Sequence, residues 1–96
     1  MMQLHQLNQL AYPNDIEQTW INSLKIGDTL CLIEEAILRC QTQHDTLKAL
    51  IEQKDISLFY LKSDTLAYGV NPTLGTALSD DEWVHMTLTS DTNISW

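Results

Sequence analysis

Ninety-six residues carry 13 acids against 5 bases, for a net charge of −8 and a sequence pI of about 4.4. The length fits a single domain over residues 1–96 with a modest core, since a chain this short buries only about two thirds of its unfolded surface. Lys25, Arg39, Lys48, Lys54 and Lys62 are scattered, which argues against direct nucleic-acid binding; no apolar run approaches the roughly 20 residues of a membrane span; and MMQLHQLNQL has neither the basic nor the apolar part of a signal peptide, so a cytoplasmic protein is expected.

Residues 2–8 alternate loosely, with Met2, Leu4 and Leu7 apolar, and read as a first strand. Tyr12-Pro13-Asn14-Asp15 is turn chemistry. Asn14 or Asp15 can cap a helix through residue 25, whose Ile16, Trp20, Ile21 and Leu24 recur at helical spacing. Gly27 is expected to end it. The block GDTLCLIEEAI, residues 27–37, is the most informative in the chain. Its continuous apolar run suits a strand over residues 28–33 buried on both faces. Glu34 and Glu35 then stand where a strand hands over to a helix, whose N-terminus favours negative charge.

Residues 35–40 read as a short helix and 41–45 as a polar gap. Residues 46–53 form a helix with Leu47, Leu50 and Ile51 on one face. Residues 55–61, DISLFYL, are rich in strand formers. Ser63 or Asp64 can cap a short helix through Tyr68, closed by Gly69. Residues 71–77 are loop, with a short strand near 76–78. Ser79-Asp80-Asp81-Glu82 approaches a capping box and opens a helix carrying Trp83, Val84, Met86 and Leu88. Residues 90–95 are a polar tail before Trp96. Strands alternate with helices from end to end, so the expected fold is α/β: a small, mostly parallel sheet flanked by helices.

Cys31 and Cys40 are nine positions apart, which is neither a C-x-x-C nor a zinc-finger spacing. His5, His44 and His85 are dispersed. No metal site and no cofactor are expected.

Four blocks resemble one family in order. Leu4-His5-Gln6-Leu7-Asn8 resembles a first strand that often reads LHxL. Gly27-Asp28 through Glu34-Glu35-Ala36-Ile37 resembles GDxLLLIEDGV. The stretch from Leu58 to Val70, LFYLKSDTLAYGV, resembles LYALxxDLxARGL. Trp83-Val84-His85-Met86-Thr87-Leu88, with the closing Ser95-Trp96, resembles FVxLT…SW. The chain is thus similar, over nearly its whole length, to the DsrH/TusB family of sulfur-relay proteins.

The resemblance implies the small α/β fold shared by the DsrE, DsrF and DsrH proteins. It also implies a role as one subunit of a heterohexamer with DsrE/TusD-like and DsrF/TusC-like partners, two copies of each chain, fed by an upstream persulfide donor. In the TusB branch such a complex passes persulfide sulfur toward 2-thiolation of the wobble uridine of certain tRNAs. In the DsrH branch it serves sulfur trafficking in sulfur oxidisers, whose members can carry a cysteine in the first helix. That position is Trp20 here, and the first helix has no cysteine. The departure favours the TusB branch, where the persulfide cysteine belongs to the TusD partner. Ala36 also replaces the family's usual glycine after the acidic pair.

Each candidate residue has a bland reading beside the sharp one. Cys31 lies in the most apolar strand and reads as a small core hydrophobe. Cys40, beside Arg39 and before a polar loop, is the better candidate for a weak sulfur acceptor, although an inert thiol is the ordinary case. Glu34 and Glu35 could form an acid/base pair, but neighbours in sequence diverge and a helix-start role suits them better. His5 reads as a hydrogen-bonded strand histidine, and His85 has no nucleophile that sequence can pair with it. Trp83 and Trp96 could cover the core edge or form a subunit interface, and Trp96 in particular would gain order from a dock. No catalytic residue is assigned. The expectation is an accessory subunit of a sulfur-relay complex. Its rivals are a sulfurtransferase using Cys40 or Cys31 and a free-standing interaction domain that shares only the fold.

Overall fold

The structure is a computed structural model, and it describes residues 3–96. Met2, assigned above to the first strand, lies outside the described residues. Strands β1 (Gln3–Leu7), β2 (Thr29–Leu32), β3 (Ser57–Leu61), β4 (Thr76–Leu78) and β5 (Thr92–Ser95) form one sheet in the order β4-β3-β2-β1-β5. Every pairing is parallel, so the expected α/β class holds. Parallel neighbours need long crossovers, and helices supply them. Helix α1 (Asn14–Ser23) joins β1 to β2. A 3-10 helix (Glu34–Leu38), α2 (Arg39–Thr42) and α3 (His44–Lys54) join β2 to β3. Helix α4 (Lys62–Tyr68) joins β3 to β4, and α5 (Asp80–Thr89) carries the chain back from one sheet edge to the other. Among the described residues no helix is long and apolar enough to cross a membrane.

Side chains alternate across a strand, so register fixes two faces. His5, Leu7, Leu30, Leu32, Leu58 and Tyr60 share one. Most of them form the main core with Trp20 and Leu24 of the first crossover and with Ala36, Ile37, Cys40, Leu47 and Leu50 of the second. Leu4, Gln6, Cys31, Leu61 and Leu78 are buried on the other face. There Trp83 Nε1 of α5 donates to Gln6 Oε1 at 3.0 Å. All four residues of β2 are buried, as its continuous apolar run requires.

Several boundaries differ from expectation for local reasons. Helix α1 starts directly after Pro13, whose carbonyl accepts the Glu17 N–H, and it has no side-chain cap. It stops at Ser23 because Leu24 turns extended. Gly27 instead shapes the turn into β2 at φ +85 and gives its N–H to the Lys54 carbonyl. The short helix expected over 35–40 is a 3-10 turn running into α2, and α3 begins at His44, inside the expected gap. Gly69 closes α4 in the left-handed region as expected. The Ser79–Glu82 capping box is complete, with bonds of 3.1 and 2.9 Å. The polar tail is a strand: β5 pairs with β1 although most of its side chains are exposed.

Candidate functional site

Sulfur chemistry needs a thiolate, and both thiols are closed off. Cys31 is 0 % exposed in β2. Burial, with the Asp64 carboxylate as a lesser contributor, pushes its pKa to about 12. Cys40, the better candidate for a weak sulfur acceptor, is 5 % exposed and packs in the main core. Burial pushes it to about 11. Only the thiolate is a competent nucleophile. Both thiols should therefore resist a disulfide reagent in the folded chain and react fully in urea; rapid native labelling of either would show an open site. Both pKa values lie above the ordinary 9.0. Their contribution to stability is thus complete below 9.0 and declines as the pH rises toward 11 and 12, because the unfolded chain ionises first. Urea midpoints measured across that range should fall.

Arg39, beside Cys40 in sequence, turns its charge to other partners. Its side chain is fully buried and committed elsewhere. Nη2 and Nη1 donate to the two carboxylate oxygens of Glu17 at 2.8 and 3.1 Å, and Nε donates to the Gln9 carbonyl at 2.8 Å. The guanidinium also lies over the Tyr12 and Trp20 rings, at 5.2 and 5.5 Å from their centroids. Glu17 further accepts the Tyr12 N–H and Trp20 Nε1–H. Burial alone would raise the Glu17 pKa. The bonds from Arg39, Tyr12 and Trp20, together with the Arg39 charge, outweigh it and hold the carboxyl below its ordinary value. Trp20 is 0 % exposed and belongs to this network.

A second network ties the C-terminal segment to β1. His5 is buried, with Nε2 3.0 Å from Asp28 Oδ2, and Trp96 Nε1 donates to His5 Nδ1 at 3.3 Å. These partners assign the Nε2–H tautomer, which donates to Asp28 and accepts from Trp96. The Trp96 N–H bonds the Gln6 carbonyl, and the Trp96 carbonyl accepts the Tyr12 hydroxyl at 2.9 Å. Trp96 therefore has an intramolecular dock and packs partly buried on the core. Gln6 reaches the other way, accepting from Trp83 and donating to Asn93 Oδ1 at 2.8 Å. The sequence pointed to a hydrogen-bonded His5 and allowed a core-edge place for Trp96, but not the pairing of the two. The network's one signal was two polar residues, His5 and Gln6, inside a strand, one that the sheet order places between β2 and β5.

Glu34 and Glu35 are both exposed where β2 meets the 3-10 helix. Glu34 adopts φ 54, uncommon for a residue with a side chain. Asp64 Oδ2 holds its N–H at 2.7 Å. His85 is exposed on α5. Among the described residues no three His, Cys, Asp or Glu side chains gather as a metal site would require.

A family profile described as DsrH like protein matches residues 11–93, most of the chain. No curated protein matches the chain.

Proposed function

The chain belongs to the DsrH family of sulfur-relay proteins, and from that premise we propose that it is a non-catalytic subunit of a cytoplasmic, TusBCD-like complex serving tRNA wobble-uridine 2-thiolation. The observation that carries this reading is the closure of both thiols, 0 % and 5 % exposed with their pKa values raised to about 12 and 11. A chain without an available thiolate contributes by assembly: it buries surface against related DsrE/TusD-like and DsrF/TusC-like subunits and helps place a partner's cysteine to receive sulfur from an upstream donor. Buried Trp20 at the sulfur-oxidiser carrier position supports the TusB side of the family. Trp83 and Trp96, each partly exposed, can add their outer edges to such an interface.

The test replaces Cys31 and Cys40 by alanine, singly and together, in cells lacking the native chain. The measurement is tRNA 2-thiouridine by mass spectrometry. Thiolation should persist in all three variants. Its loss with a folded, soluble variant would instead make this chain a sulfur carrier.

A further inference from the structure

The last helix is apolar on two sides, and the chain covers only one of them. Toward the sheet, α5 places Trp83 and Met86, both half-buried. Away from it, Val84 and Leu88 stand 47 % and 78 % exposed one helical turn apart. No residue of α5 is fully buried. A surface helix ordinarily keeps a polar outer face, and Val84 and Leu88 interrupt that of α5. Beside α5 lies a cavity of about 470 Å³, lined by Leu78, Met86, His85, Thr89, Asp81 and Glu82. Asp81, His85 and Leu88 fall in one row along the helix, so the groove and the outward ridge form a continuous surface.

The charges say what fits there. The first turn of α5 carries Asp80, Asp81 and Glu82, and its last turn has no basic residue. A second copy of the chain would bring another −8 and the same acids to the contact. Like charges facing each other suppress such a pairing, and opposite charges favour it.

We propose that the α5 surface docks a different subunit, one that presents an apolar segment flanked by lysine or arginine. This inference rests on the subunit reading above and goes further by assigning the surface and the chemistry of its partner. Val84 and Leu88 supply the desolvated centre. The groove between α5 and β4 receives an apolar side chain, and Asp81 meets the basic flank.

The experiment co-expresses the full chain with the DsrE-like and DsrF-like chains of the same genome and measures assembly by native mass spectrometry and affinity by surface plasmon resonance. Leu88→Asp and Val84→Asp alter exposed side chains, and thermal unfolding verifies their fold. Each should weaken the complex about tenfold or more, as central interface residues do. Asp81→Lys should weaken it at low salt, with the difference closing as salt screens the charge. Ile26→Asp, at a side chain as exposed as Leu88 but in the turn between α1 and β2, should bind as the parent does. A parent complex that tolerates Leu88→Asp and Val84→Asp would overturn the docking surface while leaving the subunit reading intact. A parent complex indifferent to Asp81→Lys at low salt would overturn the basic partner. If the parent chain forms no complex, or only a homodimer, the subunit reading falls and this inference with it.

Discussion

Replacing Arg39 by alanine should cost about 3–5 kcal/mol of folding stability, the range for removing one partner of a buried ion pair. Total stability for a domain of this kind is about 5–15 kcal/mol, so the variant would stand near the edge of folding. The loss has four parts: the two-pronged bond to Glu17, the bond to the Gln9 carbonyl, the bond to Gln43 Oε1, and the guanidinium's place over Tyr12 and Trp20. Arg39→Lys should recover little, because an ammonium can neither form the fork nor stack on both rings. Tryptophan fluorescence in a urea titration reads the effect directly; a cost below about 1 kcal/mol, the level of an exposed pair, would show that the network contributes little. The pH dependence has a definite sign. Glu17 is held below its ordinary 4.5, so its contribution is present above 4.5 and is lost as the pH falls through the folded value. The gap between parent and Arg39→Ala should therefore narrow on acidification.

Trp96→Ala should cost about 2–4 kcal/mol, somewhat less than a fully buried tryptophan because the ring is only partly covered. The substitution removes its packing on the core and leaves Nδ1 of buried His5 without a donor. Trp96→Phe keeps most of the packing and isolates the hydrogen bond, at about 1–3 kcal/mol for an orphaned buried acceptor. Hydrogen exchange should show where the loss falls, with β5 amides losing protection before those of β2. If the isolated Trp96→Ala chain unfolds like the parent, the intramolecular dock is energetically idle and partner contact becomes the main reason for Trp96.

The elements that announced themselves were those whose residues act locally. Ser79 and Glu82 cap α5 wherever the chain goes, Gly69 supplies a left-handed close, and the apolar run of β2 suits a doubly covered strand. The elements that escaped were made by distant partners. The segment TNIS has no apolar face to mark it as a strand; it is one because the β1 main chain lies beside it. Arg39 read as one of five scattered cations, since nothing near it in sequence reveals that Glu17, Tyr12 and Trp20 converge on it. Arg39 was also one of the two features, with the polar loop after it, that made Cys40 the better of two weak candidates. The candidate site was thus legible in its residue types and illegible in its exposure, which depends on packing between segments far apart in the chain.

The pairing of β5 with β1 also bears on how the protein is made. β1 is synthesised well before its neighbour on this side, residues 92–95. Until those residues emerge, β1 has one edge of unpaired peptide groups, a template for mispairing with other chains. Closing so long a loop is slow, because its entropy is lost before the contacts form. Productive folding therefore waits until residues 92–95 have left the ribosome, and a nascent or truncated chain that lacks them is the species most in need of a chaperone.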